Sequence, residues 1–529
     1  MTLSGRGDVL GPCIHRYSRL VPPPGIRLLA LGACISLLAV VAPSASTASA
    51  RTATGVPADV GANTAAPLVW RDCGDGFECA TLTVPVDYAL PDGEQVAIAV
   101  TRKPATGPGP RHRSLVFNYG GPGDPGTETI RLAAETLPEA IRREFDLVTF
   151  DPRGTGDSRP IDCVDDATFE RAWSEDVTPN GPADLPRFYD GTASSIDMIA
   201  TCIAVQGDWL THIGTRNVAR DLDRLRTALG ERRLTYVGYS YGTVLGAVYA
   251  QEFPLRVRAL VLDSAVNLTE SASDRQVGNA IGFEGALDAF LADCAADRRC
   301  AFHSDGAPRA ALARLRDRFE DGLTVHARGR RTVGVSEFYT GILAALYSRS
   351  AWPVLAQALH DAARRNDGEY LQLLNDTYTG RRPDGSFNNF QEAIGFIVCA
   401  DRPEPRVSFA EYQATYARLT EQFPFFGAIL GGAPIGCDPR IPMAAATETL
   451  GDVRATKAPP MLVLGTTHDP ATPYIGARDL RTRLRGSRIL TIDDTQHGGY
   501  GQDNACVDDH VDRYLLQRAL PPRGARCGP

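Results

Sequence analysis

One stretch constrains the fold more than any other. The apolar run Leu234–Gly238 (LTYVG) passes without a linker into Gly238-Tyr239-Ser240-Tyr241-Gly242, and helical spacing then continues from Ser240 through Gln251. A strand that turns directly into a helix belongs to a parallel sheet with crossovers on its faces, because antiparallel neighbours are joined by short turns. The surrounding sequence keeps the same rhythm. SLVFN at 114–118, DLVTF at 146–150 and LVLD at 260–263 are short apolar runs, and Val218, Leu222, Leu225 and Leu229 fall on one helical face of 217–229. Upstream, ATLTVPVDY and QVAIAVTRK alternate with period two around Pro91-Asp92-Gly93, the pattern of antiparallel strands joined by a turn.

After Asp263 the rhythm lapses. Residues 265–455 carry mostly helical patterns, AALARLRDRF and ALHDAARR among them. Strand-like runs return at 459–465 (PPMLVLG) and 488–492 (RILTI), followed by an amphipathic helix over roughly 505–519. The expected organisation is an α/β core in two parts, 67–264 and 456–529, with a mainly helical cap over 265–455 inserted between them. No internal repeat of roughly 20–50 residues interrupts it.

The N-terminus reads as an export signal. Arg6, Arg16, Arg19 and Arg27 stand against a single acid, Asp8, before the apolar run Leu28–Ala42, which closes on PSASTASA and Ala48-Ser49-Ala50. That run falls short of the roughly 20 residues that cross a bilayer. A positive start, a short apolar middle and a small A-x-A end are the marks of a signal peptide over 1–50. A membrane anchor and lipid attachment at Cys34 are the weaker rivals. Small polar residues at 51–66 read as a flexible leader. The expected destination is secreted and extracellular, with no membrane association once the signal is removed. The formal net charge of −8 argues against a nucleic-acid partner, which needs a basic face. Ten of the twelve Cys lie beyond residue 50. An even number in an exported chain suggests disulfides. Connectivity is not deducible from sequence; pairing in chain order gives 73–79, 163–202, 294–300, 399–437 and 506–527. Without C-x-x-C spacing or a neighbouring His pair, a zinc site is not expected.

The pentapeptide at 238–242 fits G-x-S-x-G, and its setting between strand and helix gives it chemical meaning. The two Gly permit a cramped turn that lifts Ser240 Oγ over a helix N-terminus, where positive dipole favours developing negative charge. A Ser hydroxyl needs a base. His497, in DDTQHGGYG just after the last strand-like run, is the candidate, with His468 as rival. The base needs a carboxylate to fix its tautomer. Asp469, in TTHDPATP after PMLVLG, is the candidate; Asp263 is the runner-up, and Asp493 and Asp494 are read as loop caps. The chain order Ser240, Asp469, His497 suits this sheet architecture. Backbone N–H donors for a tetrahedral intermediate are expected at Tyr241 and at Gly121, since Pro122 has none.

Together, NYGGPG at 118–123, DPRGTGDS at 151–158, GYSYGT at 238–243, VLDS at 261–264, LGTTHDPATP at 464–473 and QHGGYG at 496–501 resemble the tripeptidyl-aminopeptidase branch of secreted α/β-hydrolases, related to proline iminopeptidases. The resemblance implies an α/β-hydrolase fold with a mainly parallel sheet and an inserted helical cap. It implies a secreted serine aminopeptidase that releases short peptides, tripeptides by the family's pattern, from substrates with free N-termini. No metal or cofactor is called for. Cys399-Ala400-Asp401 is similar to a Cys-x-Asp stretch in these relatives, which makes Asp401 the expected contact for the substrate ammonium. The chain departs from the family at Asp124-Pro125, where Gly and Ser usually follow GGPG; a carboxylate there would oppose an oxyanion or bind an amine. Asp151 and Arg153 are expected to brace the loop beneath the site. An esterase or amidase acting on small acyl substrates would use the same residues, and a binding protein on a hydrolase scaffold is the third reading.

Overall fold

The computed structural model describes residues 67–108, 113–175, 178–179, 181–327, 331–442 and 448–528. The expected signal peptide (1–50) and leader (51–66) lie outside the described residues. The strands are β1 (Arg71–Asp72), β2 (Glu78–Pro85), β3 (Gln95–Lys103), β4 (Arg113–Asn118), β5 (Phe145–Phe150), β6 (Leu234–Tyr239), β7 (Val257–Asp263), β8 (Val325–His326), β9 (Thr332–Val333), β10 (Leu462–Thr466), β11 (Arg488–Ile492) and β12 (Arg526–Cys527). All but β8 and β9 join one sheet in the order β1-β2-β3-β5-β4-β6-β7-β10-β11-β12. The β1–β2, β2–β3 and β3–β5 pairs are antiparallel, and the pairs from β5 onward are parallel.

The sequence pattern explains the layering. In β6, Val237 and Tyr239 join one buried cluster while Leu234 and Tyr236 join the other; in β4, Leu115 and Phe117 part from Val116 in the same way. Alternate residues of a strand point to opposite faces. A strand covered on both faces therefore reads as continuously apolar, as β4, β6 and β10 do. Register aligns the strand ends: Asn118 is level with Gly238, Tyr239 with Asp263, and Thr466 with Ile492. The loops leaving β4, β6, β7, β10 and β11 thus emerge at one edge of the sheet, where ligands bind in such folds.

Between β7 and β10 the chain builds a helical layer. Its longest member is Ala272–Ala296, and Phe390–Asp401 lies against the Gly-rich loop after β4, with Phe390 beside Gly121. The short β8–β9 pair also belongs to this stretch, which the sequence reading gave as mostly helical. Helices Asp166–Trp173 and Leu185–Asp190, within the stretch expected to form the core, contact this layer, while Ala193–Gln206 buries Ile199 and Cys202 in the cluster that holds the strands. Phe169 meets Phe387 edge-on at 4.8 Å between ring centroids, and Tyr189 meets Tyr412 at 5.4 Å. Among the described residues five disulfides form, 73–79, 163–202, 294–300, 399–437 and 506–527, the chain-order pairing. Among the described residues no helix is long and apolar enough to cross a membrane.

Candidate active site

Ser240 sits between the end of β6 and the helix Gly242–Glu252. Its φ is +52°, a left-handed conformation that costs a residue with a side chain about 1–2 kcal/mol. The turn is held at both ends. The Ser240 N–H donates to the Asp263 carbonyl (2.8 Å), and the Ser240 carbonyl accepts from the N–H (2.9 Å) and Oγ1 (2.6 Å) of Thr243. The motif glycines act differently from expectation. Neither carries a positive φ; they are small because the packing is close. A methyl on Gly238 would stand 2.3 Å from the Gly242 carbonyl oxygen, and one on Gly242 would stand 2.7 Å from the Asn118 carbonyl oxygen.

His497 follows β11 and is wholly buried. Its Nδ1 lies 2.8 Å from Asp469 Oδ1 and 3.0 Å from Oδ2. Asp469, after β10, is fixed in turn. Oδ1 accepts from the N–H groups of Ala471 (2.9 Å) and Thr472 (2.8 Å), and Oδ2 from the hydroxyls of Ser264 (2.7 Å) and Thr472 (3.0 Å). With the Nδ1 proton given to Asp469, Nε2 carries the ring's lone pair, and it is buried without a hydrogen-bond partner. Nε2 is thus the ring nitrogen left free to accept from a serine hydroxyl.

Ser264 joins the separate loops, although the sequence singled it out only within VLDS. Besides donating to Asp469, its Oγ accepts from the Gly498 N–H (2.7 Å). Asp263 is not the partner of His497. Its Oδ2 accepts from Gly499 (3.0 Å) and Tyr500 (2.8 Å), so it shapes the histidine loop. Burial pushes its carboxyl up to about 6. The His497 N–H donates to the Tyr347 carbonyl (2.8 Å), and the two rings meet edge-on. The helical layer thus touches the candidate base directly. The Asp493 carboxylate pairs with Arg526, while the Asp494 backbone carbonyl accepts from the His468 N–H and its side chain from the Thr495 N–H.

The Gly-rich loop after β4 lies against this turn. Gly120 has φ +105°, and a methyl there would stand 2.7 Å from Tyr239 O, 3.0 Å from Ser240 Cβ and 3.2 Å from Tyr241 N. Sequence reasoning passed over Gly120 in favour of Gly121, which has φ +100° and lines the same cavity as Ser240 and Tyr241. Asp124 turns inward instead of facing a ligand: it is buried and accepts from Thr129 Oγ1 (2.6 Å). Burial, with Asp151 and Glu128 adding to it, raises its carboxyl to about 7 against the opposing Thr129 bond.

Asp401 is engaged by the protein itself. It lines the cavity, but Oδ1 accepts from the Thr215 N–H (2.7 Å), and Oδ2 accepts from the Thr215 hydroxyl (2.7 Å) and the Tyr241 phenol. A wholly buried carboxyl with both oxygens engaged by the protein orients Tyr241 and is poorly placed to receive an ammonium. Burial pushes it up to about 7, with the Thr215 bonds opposing.

Beneath the site, Arg153 is wholly buried and grips both oxygens of Asp221 at 2.7 Å while also donating to the carbonyls of Pro85, Val86 and His212. Asp151 accepts from the N–H groups of Thr127 and Asp157. Both residues brace the loop. A cavity of about 170 Å³ opens over Ser240, with Gly121, Tyr241, Val266, Leu268 and Leu430 on its walls. A buried base aligned by a carboxylate, at the edge that also bears a strained Ser, is suited to acyl transfer. The described His, Cys, Asp and Glu clusters that could hold a metal consist largely of disulfide cysteines and lie elsewhere.

Residues 113–503 match the alpha/beta hydrolase fold family. The chain is 37% identical over 487 residues to the serine protease Hip1 of Mycobacterium tuberculosis, covering 87% of this chain and 91% of that protein. It is 35% identical to the carboxylesterase B of Mycobacterium tuberculosis (96% and 98% covered). It is 33% identical to the tripeptidyl aminopeptidase of Streptomyces coelicolor (88% and 86% covered).

Proposed function

The chain belongs to the alpha/beta-hydrolase family, and from that premise we propose that it is an exported serine peptidase that releases short peptides, tripeptides in the first instance, from free N-termini. The observation that carries this reading is the 2.8 Å contact between His497 Nδ1 and Asp469, set at the same sheet edge as Ser240. Ser240 Oγ attacks the scissile carbonyl, and His497 Nε2 takes its proton and later gives it to the leaving amine. Asp469 holds the imidazole and balances its charge. The N–H groups of Tyr241 and Gly121 hold the oxyanion. Water then enters, His497 activates it, and the acyl-enzyme is hydrolysed. Five disulfides support export to an oxidising compartment.

The likeness to a carboxylesterase favours a second reading, in which the same residues cleave a small-molecule ester. The deciding experiment is turnover of a tripeptide anilide beside a short acyl ester, followed by mass analysis of the fragments released from a mixed peptide library. Three-residue fragments from free N-termini are expected; ester turnover without peptide release would select the second reading.

A further inference from the structure

We propose that Glu270 receives the α-ammonium of the substrate, with Gln276 Oε1 as a second acceptor beside it. This deepens the peptidase reading and rests on it. Both residues line the cavity over Ser240, at the start of the helix Ala272–Ala296.

The argument runs through the three carboxylates on that wall, Glu270, Asp401 and Glu404. An ammonium needs an acceptor with lone pairs to give. Asp401 has spent its oxygens on Thr215 and Tyr241. Glu404 Oε2 caps the helix by accepting from the Ala272 N–H (2.7 Å). Glu270 is half-buried, and among the described residues its carboxylate makes no hydrogen bond and no ion pair within 4.0 Å. Its backbone is nevertheless fixed, because Arg402 donates to the carbonyls of Leu268 and Glu270.

Gln276 is held in a similar way. Its Nε2 donates to the carbonyls of Leu430 (2.6 Å) and Ala433 (2.8 Å), which leaves Oε1 a buried acceptor without a partner. A buried polar atom left unpaired costs roughly 1–3 kcal/mol, a cost that a donor from the substrate removes. Burial also pushes the Glu270 carboxyl up, with Asp274 and Glu404 adding and Arg275 and Arg402 opposing. An incoming ammonium would stabilise its charged form. Arg275, on the same wall, supplies the opposite charge and makes no described side-chain hydrogen bond or ion pair; it suits a substrate carbonyl. Two acceptors and a donor, Glu270 just before the N-cap Ser271 and Gln276 and Arg275 in the first turns of the helix, match the ammonium end of an extended peptide.

The test compares a tripeptide anilide with its N-acetylated counterpart on the wild type, Glu270→Gln and Glu404→Gln. Hydrogen bonds to charged groups are worth about 1.5–3 kcal/mol, so Glu270→Gln should lower kcat/KM for the free-amine peptide by roughly 10- to 100-fold, mainly through KM. It should leave the N-acetyl peptide at its wild-type rate. Glu404→Gln should leave the ratio between the two substrates unchanged. Labelling of Ser240 by a fluorophosphonate at the wild-type rate would show that the Gln variant is folded. Equal losses on both peptides, no loss on either, or a loss that follows Glu404 would overturn the assignment. Wild-type turnover of the free-amine peptide tests the peptidase reading by itself, and only the ratio across variants tests Glu270.

Discussion

Ser240 holds a conformation that an L-residue adopts at a cost, and the groups around it are arranged to keep it there. Gly120 is the most exacting of these. A methyl at that position would press on Tyr239 O, Ser240 Cβ and Tyr241 N together, and the φ of +105° disfavours any side chain. Gly120→Ala should therefore leave a protein that folds with a modestly lower Tm but loses one oxyanion donor's worth of catalysis, roughly 100- to 1,000-fold in kcat. Steady-state kinetics beside a melting curve would check it; wild-type kcat would show that the loop gives way. The acid is buffered differently. Asp469→Asn removes the charge that stabilises the imidazolium and should cost about 10⁴-fold in kcat. Ser264→Ala removes one hydrogen bond to Asp469 while the Thr472 and Ala471 donors remain, so about 10- to 100-fold is expected. Ranking the two variants on one substrate tests whether Ser264 acts through Asp469. The sequence announced Ser240, Asp469 and His497 because each follows an apolar run that local pattern reveals. It could not announce Ser264 or Glu270. A polar residue after a strand and an acid before a helix look alike whether they bridge two loops or face water, and only the tertiary arrangement separates them.

The helix Phe390–Asp401 is the element on which the site's geometry turns. At one end Phe390 lies where a methyl on Gly121 would be, 2.7 Å from Cε2; at the other, Asp401 holds the Tyr241 phenol. The helix thus bears on both proposed oxyanion residues. It is anchored to the sheet side by Asn389, which donates to the carbonyls of Gly154 (2.8 Å) and Ile161 (3.1 Å) and accepts from the Gly156 N–H (2.9 Å). The Cys399–Cys437 bond ties its far end to a segment 38 residues on. Closing a loop of that length is worth roughly 4 kcal/mol in the chain-entropy account. Replacing both cysteines by Ala should lower Tm by several degrees and reduce kcat more than it raises KM, because the loss falls on groups that meet the transition state. A KM effect alone would show that this helix only shapes the cavity. At this scale the sequence was legible wherever one element carried its own pattern: the fully apolar strands, the 3.6-residue face of 217–229, the terminal helix. The contact of helices 166–173 and 185–190 with the layer over the site was not legible. A helix's apolar stripe records that it is buried, not what buries it.

At the scale of the whole molecule, several buried carboxyls make stability depend on pH. Burial raises Asp151 and Asp263 to about 6, Asp124 and Asp401 to about 7 and Glu392 to about 8. In the unfolded chain such groups titrate near about 3.9 for Asp and 4.3 for Glu. Between those limits the folded protein binds more protons than the unfolded one, so stability falls as pH rises. Each contribution is fully present below the unfolded value and is lost as pH passes the folded one. The exposed acids with lowered values, Asp165, Asp297, Asp384 and Asp452, act in the opposite sense, and only as pH drops towards and below the ordinary carboxylate range. The expected outcome is a higher Tm at pH 5.5 than at pH 8.5 in the same salt, measured by calorimetry. Asp124→Asn removes one such group at a position that bears no proposed catalytic role, and its neutral amide keeps a carbonyl for Thr129. That variant should narrow the difference by raising the high-pH Tm relative to the wild type. A Tm that climbs with pH, or a difference that Asp124→Asn leaves intact, would mean that these carboxyls stay ionised in the fold through contacts other than those that surround them here.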